Sequence, residues 1–244
     1  MIRKHIPNFI TCLNVLSGSL AVLFAIKGEL TISVILIIAA AIFDFLDGMA
    51  ARLLKAYSPM GKELDSLADI ISFGLAPGML MMVMMEYALF GLNVRAESFA
   101  SLSMWELACI SASLLIPVFS ALRLAKFNID TRQTDSFIGL PTPANALFIA
   151  ALALITEYGK YENLDALILQ PVVLLVITIT MSLLLVSEIP MFSLKFKNLS
   201  WKDNKVQFIF LTISAVLILA FNIYGIAAAI LSFILISVFL KLKK

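Results

Sequence analysis

Apolar runs of about twenty residues recur along almost the whole chain, and they restrict it to a membrane fold. The hydrophobic fraction is 61%, mean hydropathy is +1.02 and only 14% of residues are charged. That is far more apolar surface than a soluble chain of 244 residues can bury. The runs predict eight transmembrane helices, at residues 8–27, 30–54, 62–90, 104–126, 142–158, 165–187, 206–222 and 224–241. The expected fold is all-α and polytopic, a single integral membrane domain over residues 1–244. No small-residue cleavage site closes the first run, so it is expected to stay as a span. Net charge is +2 and no basic stripe carries interleaved aromatics, which excludes a nucleic-acid partner. Cys12, Cys109 and the methionines between Met79 and Met85 read as packing residues, and His5 as an interfacial one.

The basic residues orient these spans. Arg3, Lys4, Arg52, Lys55, Lys62, Arg123, Lys126, Arg132, Lys195, Lys197, Lys202, Lys205, Lys241, Lys243 and Lys244 fall on one side of an eight-span map, and only Lys27, Arg95 and Lys160 on the other. The positive-inside rule then places both termini in the cytoplasm.

Four aspartates interrupt this apolar background. Asp44 and Asp47 are spaced i, i+3, and Asp65 and Asp69 i, i+4, so each pair shares one helical face. An acid within a span costs about 2.5–3.5 kcal/mol on insertion scales, and four together repel one another. A divalent cation offsets both costs. The all-oxygen ligand set, with no thiol or imidazole, suits Mg or Mn better than zinc. Turn residues at Tyr57-Ser58-Pro59-Met60-Gly61 predict an antiparallel helix hairpin that sets the two pairs face to face. At 1.5 Å per residue, Asp47 lies ~25 Å in from the outer side, whereas Asp65 and Asp69 lie ~6 and ~12 Å in from the cytoplasmic side. The acids are thus expected in the inner leaflet, open to the cytoplasm.

The acids belong to a longer pattern, D-x2-D-G-x2-A-R-x8-G-x3-D-x3-D, matched without a gap by Asp44, Asp47, Gly48, Ala51, Arg52, Gly61, Asp65 and Asp69. It resembles the signature of the CDP-alcohol phosphotransferase family. The resemblance implies a membrane enzyme with a six-helix catalytic core, usually a homodimer, that moves a phosphoalcohol from a CDP-alcohol to an acceptor hydroxyl and releases CMP. Three other stretches are similar to its phosphatidylserine synthase branch: Pro7-Asn8-Phe-Ile-Thr11-Cys-Leu-Asn14, Ala121-Leu-Arg123-Leu-Ala-Lys126-Phe-Asn128, and Phe137-Ile-Gly139-Leu-Pro141-Thr-Pro143-Ala144. Lys126 stands where that branch more often has arginine. The substrates so implied are CDP-diacylglycerol and L-serine.

By the same resemblance Asp44, Asp47, Asp65 and Asp69 hold divalent metal, two ions of Mg or Mn, and Asp69 is the general base. Gly48 and Arg52 receive the nucleotide, and Ser58, Asn8, Thr11 and Asn14 touch the nucleotide end of the substrate as well. For Asn8, Thr11 and Asn14 the other reading is helix-start and interhelical polar contact. Residues 121–144 form the acceptor region, with Arg123 facing the serine carboxylate and Asn128 and Ser72 beside it. Arg123 could equally be an interfacial anchor, and Ser72 a packing residue next to Gly74.

Other acceptors, glycerol 3-phosphate or an inositol phosphate, would call for several clustered cations, and only Arg123 and Lys126 stand near the acids. A cation transporter would string its acids across the membrane, whereas these lie at one level. The basic loop Lys195–Lys205 is expected on the cytoplasmic side against anionic headgroups. A cysteine introduced at Asn198 should therefore react with an impermeant thiol reagent only from the cytoplasmic face; labelling from outside alone would refute the eight-span map.

Overall fold

The computed structural model of the chain describes residues 5–130, 137–193, 200–201 and 203–242. Much of the basic 195–205 loop, including Asn198, lies outside the described residues, as do Arg3, Lys4, Arg132, Lys243 and Lys244.

Each expected apolar segment is helical. The helices are α1 (Ile6–Ile26), α2 (Leu30–Leu53), α3 (Pro59–Asp69), α4 (Ala76–Phe90), α5 (Met104–Ala112), α6 (Leu115–Ile129), α7 (Thr142–Tyr158), α8 (Glu162–Ile168), α9 (Pro171–Val186), α10 (Lys205–Phe221) and α11 (Ile223–Leu242). Five helical segments among the described residues are long and apolar enough to cross a membrane: Ile6–Ile26, Leu30–Leu53, Pro59–Phe90, Met104–Ile129 and Ile223–Leu242. α7 and α10 are shorter apolar helices. The sixth expected span, 165–187, is not one straight helix. α8 and α9 meet at 62°, because Pro171 forces Gln170 into an extended conformation (ψ 132°) and ends α8 before it.

Two further details escape the apolar pattern. α3 and α4 are joined by a π-helical turn, Ile70–Leu75, directly after Asp69. Pro77 lacks an amide hydrogen and its ring would press on the carbonyl of Phe73, four residues back, so the backbone widens there. In addition, β1 (Phe137–Ile138) and β2 (Pro190–Met191) pair antiparallel, a minimal strand contact in an otherwise helical chain. Next to it the Gly139 amide donates to the Ile189 carbonyl and the Leu140 amide to that of Leu184, both at 2.9 Å. Gly139 has φ +78°, and a Cβ there would lie 2.4 Å from the Leu185 carbonyl oxygen. Only glycine lets the strap between α6 and α7 lie this close to α9.

α1 packs along α2 and also along α3, the π turn and α4, while the backbones of α2 and α3 scarcely approach each other. The predicted α2–α3 hairpin is therefore spread open, with α1 alongside both arms. Small residues allow the tight crossings. A Cβ on Gly78 would fall 2.9 Å from Pro117 of α6, and one on Gly74 would fall 3.1 Å from Ser120. Met79, Met81, Met84 and Met85 fill the core between these helices.

Polar contacts sort the loops into two ends. At one end Arg95 reaches the Ile26 carbonyl and the buried Glu86, Thr31 reaches Glu157, and Tyr224 reaches Asp165 and the Lys160 amide. At the other end Lys62 reaches Asn128, Lys126 reaches Val186, and Lys241 reaches Glu188. Lys27, Arg95 and Lys160, the minority of the basic residues, all belong to the first end.

The α1 crossing is the most constrained. A Cβ on Gly18 would sit 2.2 Å from the Ser72 hydroxyl and 2.8 Å from the Ser72 Cα. Gly18→Ala should thus push α1 off the π turn and destabilise the protein by about 1–3 kcal/mol, read as a lowered unfolding midpoint in detergent. An unchanged midpoint would show that the crossing is loose.

Candidate active site

Helical spacing brings the acids to one place from two arms. Asp44 and Asp47 lie toward the C-terminal end of α2, and Asp65 lies two turns into α3. One carboxylate oxygen from each of Asp44, Asp47 and Asp65 falls within 4.8 Å of the other two. Asp47 is only 5% exposed, and its Oδ2 is buried with no hydrogen-bond partner among the described residues. Such an arrangement is costly as it stands, and its donor set and spacing fit a hard divalent cation. Asp69, one turn deeper on α3, is outside this close trio. Its Oδ1 is also buried and unpartnered, and its charge interacts with that of Arg123. The four acids thus divide into three that converge and one, Asp69, outside the close trio.

A cavity of about 220 Å³ opens beside the trio, lined by Asp47 and Asp65 together with Pro7, Asn8, Thr11, Gly48, Ala51, Ala56, Tyr57, Ser58, Gly61 and Lys62. A Cβ built on Gly48 meets nothing within 4 Å, so the α2 backbone faces open space there. Ser58 caps α3, its hydroxyl accepting from the Gly61 amide at 3.0 Å. The Asn8 side-chain oxygen Oδ1 is 3.0 Å from where a Gly61 Cβ would be. Thr11 lies beside Asp47 and donates to the Pro7 carbonyl at 3.0 Å. Arg52 is exposed and does not line the cavity. Asn14 stands apart as well, because its side-chain oxygen accepts from the Ser72 hydroxyl at 2.6 Å, fully buried in the α1 crossing. The Ser72 hydroxyl is thus taken by Asn14, whose own Nδ2 is buried with no partner among the described residues.

Arg123 occupies a second position. It is 7% exposed, donates from Nη1 to the Thr142 hydroxyl at 3.1 Å and lies 5.5 Å from the Phe127 ring centroid. Its Nε is buried and has no partner among the described residues. A second cavity, of about 310 Å³, is lined by Arg123, Lys126, Ile138 and the end of α9. Lys126 is paired with Glu188 at 3.5 Å, so Arg123 is the buried cation of this region. Asn128 donates to the Ser66 hydroxyl at 3.0 Å, linking α6 to α3 behind the acids.

Sequence reasoning missed three contributors. Lys62 and Tyr57 line the first cavity, and Thr142 orients Arg123. Thr142 is the first residue of α7, and the proline pair around it was the signal that a helix begins there.

The profile of the CDP-alcohol phosphatidyltransferase family matches residues 4–240. A CDP-diacylglycerol–serine O-phosphatidyltransferase of Helicobacter pylori is 36% identical over 173 residues, which cover 69% of this chain and 66% of that protein. The Bacillus subtilis protein of the same name is 33% identical over 186 residues, covering 76% of this chain and 89% of the relative. An archaetidylserine synthase of Methanothermobacter thermautotrophicus is 33% identical, covering 75% of this chain and 68% of its own length. The match thus spans just under two thirds of the Helicobacter relative, and 51% of the Mycobacterium tuberculosis one.

Space beside Gly48 makes a prediction opposite to that for Gly18. Gly48→Ala should leave stability unchanged or raise it by up to about 1 kcal/mol, since alanine is the better helix former. A lowered unfolding midpoint would mean that the space is not free.

Proposed function

The chain belongs to the CDP-alcohol phosphatidyltransferase family, and on that premise we propose that it transfers the phosphatidyl group of CDP-diacylglycerol to the hydroxyl of L-serine, giving phosphatidylserine and CMP. The observation that carries the transfer chemistry is the convergence of Asp44, Asp47 and Asp65 on a cavity walled by the bare backbone of Gly48. The serine-linked names of the relatives support the acceptor.

Asp44, Asp47 and Asp65 would hold divalent metal, two ions of Mg or Mn with Asp69 at their edge. Bound metal supplies charge neutralisation for a pyrophosphate under attack and for the CMP that leaves. The cavity beside Gly48 takes the CDP moiety, with Asn8, Thr11, Ser58 and Lys62 around it, and Arg52, exposed one turn beyond Gly48 on α2, pairs with a phosphate from outside the lining. The serine oxygen attacks the lipid-side phosphorus, the bond from that phosphorus to the CMP oxygen breaks, and the serine proton passes to the Asp69 carboxylate. Asp69 is suited to this because it lies outside the close trio and has a buried, unpartnered oxygen. Arg123 receives the serine carboxylate, oriented by Thr142 at the positive end of α7. A phosphorylated acceptor needs more positive charge than this pocket offers once Glu188 is paired with Lys126. The protein lies in the cytoplasmic membrane as a homodimer, its termini and site toward the cytoplasm, in keeping with the segregation of Lys27, Arg95 and Lys160 to the opposite end.

CMP release by purified protein tests this directly. Serine with CDP-diacylglycerol and Mg or Mn should release CMP, EDTA should stop it, and Asp44→Asn or Asp65→Asn should abolish it without unfolding the protein. Asp69→Asn should lose turnover yet keep affinity for the CDP-lipid, whereas Arg123→Ala should raise the KM for serine and leave that for CDP-lipid nearly unchanged. Full turnover in EDTA, or CMP release with glycerol 3-phosphate and not with serine, would contradict the proposal.

A further inference from the structure

One helical turn deeper than Arg123 lies a tier of polar groups that the reaction as described leaves without a task. Asn145 follows Thr142 by three residues on α7 and is fully buried, and both atoms of its amide lack a hydrogen-bond partner among the described residues. Ser120 precedes Arg123 by three residues on α6, and its hydroxyl is likewise buried and unpartnered, as is that of Ser182 on α9. α7 runs away from the cytoplasmic end while α6 and α9 run toward it. Asn145 and Ser120 therefore lie about 4.5 Å deeper than Thr142 and Arg123 at 1.5 Å per residue, and Ser182 lies two residues deeper on α9 than Leu184, whose carbonyl accepts from the Leu140 amide just ahead of α7. Residues three apart on a helix are neighbours on one face, so Asn145 follows the same stripe of α7 that holds Thr142 against Arg123.

Leaving a buried amide with neither donor nor acceptor satisfied is expensive, and native proteins fill such positions with water or ligand. Among the buried atoms without a partner in the described residues, three match the three groups of serine by their chemistry. Asp69 offers a carboxylate oxygen for the hydroxyl, Arg123 offers Nε for the carboxylate, and an amide oxygen on Asn145 would accept from the ammonium. We propose that Asn145 is the third acceptor contact, binding the serine ammonium group, with the Ser120 and Ser182 hydroxyls as further acceptors around it. This rests on serine being the acceptor, and it explains why a chain would keep a fully buried asparagine in an apolar helix. A site built to bond a buried ammonium selects strongly against a substrate lacking it.

The test compares Asn145→Leu with wild type, using L-serine and 3-hydroxypropanoate, which keeps the hydroxyl and carboxylate but has no amino group. Leucine replaces an unpaired amide by an apolar group of like size, so the unfolding midpoint without substrate should hold or rise. The KM for serine should rise about tenfold or more, and that for CDP-diacylglycerol should stay within twofold. Stabilisation of the variant by saturating serine should be lost, and its rate with 3-hydroxypropanoate should match that of wild type. Asn145→Gln is the second variant should leucine not fold; its longer side chain should also cost serine affinity and spare CDP-lipid affinity. Wild-type turnover of serine with an unchanged serine KM in these variants would overturn the role of Asn145 alone. Failure of wild type to use serine would overturn this role and the acceptor assignment together.

Discussion

Mutual repulsion among carboxylates in an apolar helix bundle is the constraint on which the rest of this structure depends. Asp44, Asp47 and Asp65 bring oxygens within 4.8 Å of one another, whereas two other buried charges among the described residues each have a partner. Glu86 is paired with Arg95, and Arg123 is bonded to Thr142. The acids cannot relax apart, because α1 is locked to the π turn through Gly18, Ser72 and Asn14 and packs along α2 on its other side. The bundle therefore holds three negative groups together at a net cost that a bound cation would repay.

Depth organises the proposed chemistry. The trio and the cavity beside Gly48 form one region at the end of the bundle where α2 ends and α3 begins, which the proposal gives to the nucleotide. Asp69 and Arg123 lie deeper, beyond the strap at Gly139, and the polar tier of Asn145 deeper still. A lipid-linked nucleotide and a small amino acid would then reach the reacting phosphorus from different sides. The π turn contributes by following Asp69 immediately, so the helix that bears Asp65 widens where α6 comes against it.

Much of this was legible in the chain itself. The i, i+3 and i, i+4 spacing of the acids and the run of apolar segments required only helical periodicity. Gly48 offered a backbone without a side chain, and the structure adds that the space beside it is open. Other features depend on partners far apart in sequence, which no local pattern encodes. The hairpin signal at Ser58-Pro59 was real, but it could not show that α1 would lie along both arms and keep α2 and α3 apart. Ser72 read as a neighbour of the acceptor because it shares a face with Asp65, yet its hydroxyl is taken by Asn14, 58 residues away. Pro77 was visible, but its effect depends on the Phe73 carbonyl, and the bend at Pro171 depends on Gln170. Asn145 sat unremarked in an apolar run because its interest lies in the partners it lacks.

The central claim is that the three converging aspartates bind divalent metal before any substrate arrives. Electron paramagnetic resonance of purified, substrate-free protein titrated with Mn2+ measures this most directly. The account predicts a saturable bound-Mn signal in wild type that is lost in Asp65→Asn and displaced by Mg2+. A bound signal that persists unchanged in Asp65→Asn, or no binding to folded wild type, would contradict it.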